Sequence, residues 1–205
     1  MASLLSYALT SVNDVKESLG IASSVTTYDN LIIRKINQAT RAIEAYCGRR
    51  FALTTYTDEV YNATNTDQLI LKQRPITAVT SFNSRDTHLN ESDFNDVDTE
   101  LFFSDTEAGI LNLNFSAVGG WGRYQVTYSA GYDTITEALA EGCASLAAYY
   151  VTNADSGLVG VNKKQEGQRS IQYGNNATLN FDNILSQLGI DMIIQSYANY
   201  PLGLI

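Results

Sequence analysis

The stretch Tyr46-Cys47-Gly48-Arg49-Arg50-Phe51 decides how this chain is organised. Upstream of it, Leu31, Ile32, Ile36, Ala39, Ile43, Tyr46 and Cys47 recur at three-to-four spacing, which predicts a helix with one buried stripe. Arg34, Lys35, Gln38, Arg41 and Glu44 fill much of the opposite face, and Thr27 is the expected cap. Gly48 suits the left-handed residue that ends a helix. Downstream of Phe51 the pattern changes to Thr, Tyr, Val and Ile interrupted by Asn-rich turns, which predicts strands. The stretch is therefore read as the hinge between a helical part and a β part.

Working outward, a short helix is expected from Val12 to Leu19, capped by Thr10 or Ser11 and closed by Gly20. Strands are placed near Thr54–Tyr61, Gln68–Lys72, Thr77–Phe82, Glu100–Phe103, Gly109–Phe115 and Gly122–Ser129. In the last of these Tyr124, Val126 and Tyr128 alternate with Arg123, Gln125 and Thr127, so one face belongs to a core. A further helix runs from Glu137 to about Thr152, capped by Thr136, with Leu139, Cys143, Leu146, Ala147 and Tyr150 as its stripe. The Gly-, Ser- and Asn-rich region 155–176 reads as a loop, and a final helix is expected over Asn183–Tyr197. The fold class is α+β: a small antiparallel helical bundle (1–50 and 131–160), an inserted antiparallel β domain (51–130), and a loop with an extended C-terminal arm (161–205).

The chain has 205 residues and a formal charge of −9, from 13 basic against 22 acidic residues. A free-standing DNA-binding module carries a basic footprint, so the charge argues against one. Between Asn83 and Glu107 eight acids face one base, Arg85, so most of the acidity belongs to one segment. Cys47 and Cys143 lie in predicted helices with no CxxC or Cys/His cluster, which removes zinc and redox motifs. They read as reduced core thiols, with an inter-helix disulfide as the alternative. No basic n-region or sufficiently long apolar run marks a signal peptide or a membrane span.

His88 is the only histidine, in an acidic loop without the apolar frame that a catalytic histidine needs. Asp96-Val97-Asp98-Thr99-Glu100 alternates oxygens like a calcium loop but lacks the sixth-position glycine and the twelfth-position acid. Gly119-Gly120-Trp121-Gly122 precedes a strand, which favours a hairpin turn over a phosphate cradle, and Trp121 reads as a packing anchor. Arg49 and Arg50 are expected to serve the carbonyls of the preceding helix end, with a subunit salt bridge as the alternative. Lys163, Lys164 and Arg169 read as exposed loop charges or as contacts to DNA or an acidic partner. Tyr197, Tyr200, Leu202, Leu204 and Ile205 form an apolar, aromatic end that either folds back or inserts into a partner. No catalytic residue, cofactor or metal is expected. A calcium- or carbohydrate-binding β module remains as a rival from another class.

In order along the chain, several pieces resemble one family. They are Leu9-Thr10-Ser11-Val12-Asn13-Asp14-Val15-Lys16, Ile43 to Phe51, Leu71-Lys72-Gln73-Arg74-Pro75-Ile76-Thr77-Ala78-Val79, and Val126 to Tyr132 followed by a helix. Gln165 to Tyr173 and Tyr197 to Pro201 resemble that family's arm. The family is that of the head–tail adaptor, connector or head-completion proteins of tailed double-stranded DNA bacteriophages. The resemblance implies a non-enzymatic virion protein, made in the host bacterial cytoplasm, that forms a ring (usually of twelve copies) under the portal. Its partners would be the portal, its own copies, the next neck or tail component, and passing DNA held without sequence specificity. No membrane partner is implied. A tail-side neck or tail-completion protein is the nearest alternative. The acidic segment and the β block around it are larger than in the family's shortest members.

Overall fold

The computed structural model describes residues 2–63, 66–85, 94–115, 120–156, 163–166, 169–172 and 181–198. For 63, 154–156, 163–166 and 169–172 it describes the backbone alone. The chain is α+β and divides into two units, 1–48 with 135–205, and 49–134.

In the helical unit, α1 (Val12–Ser18) begins at a reciprocal cap. The Ser11 hydroxyl accepts from the Asp14 N–H at 3.3 Å, and the Asp14 carboxylate accepts from the Ser11 N–H at 3.0 Å. Those bonds hold the Asp14 carboxyl below its ordinary value, against a smaller opposing effect of burial. α2 (Asp29–Cys47) buries Ile32, Ile36, Ala39, Thr40, Ile43 and Cys47; of the expected stripe Leu31 and Tyr46 are only half-buried, and Thr40 is added. Its cap differs from expectation. Tyr28 occupies that position without a side-chain cap bond, and Asp29, the first helical residue, brings its carboxylate to Lys16 Nζ at 2.7 Å. Lys16 is only 3% exposed and also donates to the Ser23 carbonyl at 3.2 Å. Gly48 ends α2 at φ 65°, as its position predicts.

α3 (Glu137–Ser156) packs on α2 through Leu139, Cys143, Leu146 and Ala147, all buried. Cys47 and Cys143 are both buried thiols, with no disulfide between them. The Thr40 hydroxyl lies 3.8 Å from Cys143 Sγ, and burial pushes that thiol up to about 12 despite this contact. The single helix expected at the end of the chain is two: α4 (Phe181–Leu188) and α5 (Asp191–Tyr197). Gly189 between them takes φ 70°, a left-handed step that a continuous helix cannot contain. Leu185 before this break and Ile190 and Ile194 after it are buried, and Phe181 meets the Tyr46 ring at 5.3 Å. Part of the region read as a loop is a hairpin, strands Lys163–Glu166 and Arg169–Gln172, in the register Glu166 with Arg169 and Lys163 with Gln172.

The β unit holds two antiparallel sheets around one core. The first has the order β1 (Thr54–Ala63), β7 (Gly120–Ala130), β3 (Ile76–Ser84), β4 (Asn95–Asp96). The second has the order β2 (Gln68–Ile70), β6 (Ile110–Leu113), β5 (Phe102–Asp105). β5 begins later than expected because the Asp98 side chain accepts from the Glu100 N–H at 3.1 Å and opens a short 3-10 turn over Thr99–Leu101. β7 buries Tyr124, Val126, Tyr128 and Ala130, the alternation read from sequence. Leu69, Leu111 and Leu113 come from the second sheet into the same core, where Phe82 meets the Phe102 ring edge-on at 5.1 Å. In β1, Asp58 takes φ 53° at a bulge, and Thr127 Oγ1 accepts from its N–H at 3.0 Å.

The two ends of this unit are tied together. The Tyr132 N–H donates to the Phe51 carbonyl at 2.7 Å, the Leu53 N–H donates to the Tyr132 carbonyl at 3.0 Å, and Ala52 pairs with Tyr132 in a parallel bridge. Gly131, at φ 112°, passes so close that a Cβ there would lie 2.7 Å from the Ala52 carbonyl oxygen. Arg49 and Arg50 take part in this junction. Arg49 is buried, donates to the Arg74 carbonyl at 3.3 Å, and lies over the Phe51 ring at 5.0 Å. The Arg50 N–H donates to Gln73 Oε1 at 2.9 Å.

Candidate interaction surface

The base of the C-terminal arm is fixed to the helical unit. The Tyr197 hydroxyl, at the last residue of α5, is 2.9 Å from the Thr136 hydroxyl. The Thr136 carbonyl accepts from the Leu139 and Ala140 N–H groups, so the residue that opens α3 also holds the end of α5. Ala198 then leaves in an extended conformation, φ −60° and ψ 134°. Tyr200, Leu202, Leu204 and Ile205 lie outside the described residues. Lys163, Lys164 and Arg169 are strand residues of the hairpin, not loop residues. Gly167-Gln168, a two-residue Gly-X pair between the strands, was the available sign of that hairpin.

Among the described residues, the acids of this segment do not converge on a centre. His88, Asp86, Glu91 and Asp93 lie outside the described residues. Asp96 stands in β4 opposite Asn83, and Asp98 caps its own turn. Among the described residues no group of His, Cys, Asp and Glu is arranged to hold a metal ion, and no helix is long and apolar enough to cross a membrane.

One buried polar cluster escaped the sequence reading. Glu59 Oε2 accepts from the Tyr61 hydroxyl at 2.6 Å and from the Tyr128 hydroxyl at 3.1 Å, and the two hydroxyls are 3.1 Å apart. The Lys72 N–H donates to the Tyr61 oxygen at 3.2 Å, and Lys72 Nζ lies 3.7 Å from Glu59. An acid two residues before a core tyrosine in one strand was the signal, since period two puts both on one face. Burial, and then the Glu59 carboxylate, hold the Tyr61 hydroxyl far above the ordinary tyrosine value; burial likewise raises Tyr128. The cluster ties β1 to β7. A pH dependence follows. A raised folded-state value leaves stability intact below the unfolded tyrosine value of 10.0. It is lost as pH rises beyond that value, because the unfolded chain then releases protons that the folded one retains. Denaturation midpoints should fall steadily above pH ~10, and Tyr61→Phe with Tyr128→Phe should flatten that fall.

Two surface features remain. Trp121, expected to be a packing anchor, is 78% exposed. The alternation that buries Tyr124, Val126 and Tyr128 leaves the odd positions of β7 on the other face. The Gly122 N–H donates to Asn62 Oδ1 and the Gly122 carbonyl accepts from Arg85 Nε, both at 2.7 Å, so the turn that presents Trp121 is clamped on two sides. A groove of about 320 Å³ runs along β3, lined by Val79 to Phe82, Asp96 to Thr99, and Phe102.

No curated protein matches the chain. Solved structures do match in fold. The neck of an empty gene transfer agent (GTA) particle, computed with C6 symmetry, contains a chain 14% identical at a TM-score of 0.55, covering 98% of this chain and 96% of that one. The virion of the native gene transfer agent particle gives 15% identity and 0.55 over the same shares. The neck of the native particle with C12 symmetry gives 15% and 0.52, covering 100% and 98%. At such identities the likeness speaks for the fold. The head completion protein family matches residues 8–187, running from the α1 cap through the β unit into α4. This chain belongs to the head completion protein family.

Proposed function

We propose that this protein is a structural component of the virion neck, a ring adaptor between the portal and the tail that extends the DNA channel for genome retention and ejection. The observation that carries the reading is the family match across 180 of the 205 residues. The fold likeness to chains of particle necks, one of them with C12 symmetry, supports a ring of twelve. The role is one of contact and not of catalysis. Neighbouring copies form the ring, the portal takes the arm from Tyr197 through Tyr200, Leu202, Leu204 and Ile205, and the next neck or tail component docks beyond. Lys163, Lys164 and Arg169 meet DNA phosphates or an acidic partner. The excess of acid keeps DNA sliding and not bound, since like charge on a channel wall repels phosphates.

The test is to mix the purified chain with portal rings, sediment the mixture and image it by negative stain. A second ring stacked on the portal is expected. Portal rings that sediment bare would remove the adaptor reading and leave the tail-side position to be tested with tail components.

A further inference from the structure

We infer that Trp121 is the knob of a contact between neighbouring copies, seated in the groove along β3 of the next copy; this rests on the ring reading above.

Three observations on the knob carry it. Trp121 is the only tryptophan of the chain, and it stands in water although the Gly122 turn beneath it is held by Asn62 and Arg85. A large, rigid side chain carried on a clamped backbone brings wide apolar area with few torsions to freeze on binding, and tryptophan is enriched among the residues that dominate contact energies. Val60, 46% exposed, lies against the same turn, within 3.4 Å of where a Gly122 Cβ would be. Arg123 follows two residues on and adds positive charge to this corner of an otherwise acidic chain.

The groove matches in size, chemistry and sign. Its volume of about 320 Å³ admits an indole, and Val79, Phe82, Val97 and Phe102 give it apolar walls. β4 pairs only with Asn83 and Ser84, so among the described residues no strand covers β3 from Val79 to Ser81 on that side. A buried indole N–H needs an acceptor, and an uncovered strand edge offers carbonyls. Asp96 and Asp98 line the groove, opposite in charge to Arg123. Knob and groove are different surfaces of one β unit, so the contact is head-to-tail. Such a contact generates a ring when its rotation closes.

Because Trp121 is the sole tryptophan, its fluorescence reads the contact directly. The full chain is followed by sedimentation and emission over a concentration series into the millimolar range, and again on portal rings with the chain's indole labelled as 5-hydroxytryptophan. Association with a blue shift is expected. Trp121→Ala, and separately Asp96→Lys with Asp98→Lys, should each weaken association by at least about tenfold. The melting curve of Trp121→Ala should stay unchanged, which separates lost contact from lost fold. That of the double variant should drop slightly because Asp98 caps the turn over Thr99–Leu101; the version Asp96→Lys with Asp98→Asn keeps that cap while removing the charge. Mixing the two variants should give dimers and nothing larger, since each pair keeps one working knob and one working groove. Rings whose Trp121 emission stays red, or a Trp121→Ala chain that assembles like the wild type, would overturn the placement while leaving the ring reading intact. Wild-type chain that stays monomeric in solution and fails to attach to portal rings sinks both.

Discussion

Gly131→Ala is expected to destabilise the β unit by roughly 3–5 kcal/mol, the largest effect of any single methyl group considered. Two causes add. At φ 112° an L side chain is strained, and its Cβ would sit 2.7 Å from the Ala52 carbonyl oxygen and 2.8 Å from that of Phe51. Both obstacles are backbone, and both belong to the bridge that joins the start and end of the unit, so neither can turn aside as a side chain would. Gly20→Ala is the control: φ is 67°, but nothing lies within 4 Å of the added carbon. That variant carries strain without collision and should cost about 1 kcal/mol. Urea denaturation of the two variants checks the pair. Equal losses would mean that strain alone matters and that the close approach at Ala52 contributes nothing.

Truncation after Ala198 is expected to reduce portal attachment to background while leaving the melting transition of the chain unchanged. The place of the cut comes from the structure. Removing Tyr197 as well would take away the 2.9 Å hydroxyl contact with Thr136 and mix a folding defect into the result. Cutting after Ala198 keeps α5 with its buried Ile194 and removes only the residues beyond. Co-sedimentation with portal rings measures the binding, and circular dichroism measures the fold. A truncated chain that binds at full strength would show that the portal contact lies elsewhere on the molecule.

The hinge at Tyr46 to Phe51 and the alternation of β7 were legible because each depends on local spacing, and the burial of Ile36, Ile43, Tyr124 and Val126 follows from it. Other features depended on partners distant in sequence or on a single backbone step. The apolar pattern from Asn183 to Tyr197 continues across Gly189, and periodicity cannot register that the glycine turns left-handed. Lys16 is buried because Asp29, thirteen residues later, supplies the counter-charge. Trp121 was misread by residue type; it stands ahead of a left-handed step at Gly122 and a register shift against β1, which period two cannot register. Glu59 shows the converse, an acid whose inward parity signalled two tyrosine partners. For the interaction surface, the spacing from Asn183 carried the helical pattern to Tyr197 but gave no sign of the tie between its hydroxyl and Thr136. Lys163, Lys164 and Arg169 were recognised as a cationic group without their hairpin.

The bridge between Ala52 and Tyr132 has a consequence for how such a chain can evolve. Neighbouring strands lie about 5 Å apart, so the insert's first and last residues are neighbours and the whole segment behaves as a loop of nearly zero span. Whatever lies between those residues can lengthen, shrink or be exchanged without altering the separation that α2 and α3 must accommodate. Here that freedom holds a two-sheet insert with an acidic segment. The bridge leaves the β unit free to vary in length while its two ends stay one strand spacing apart.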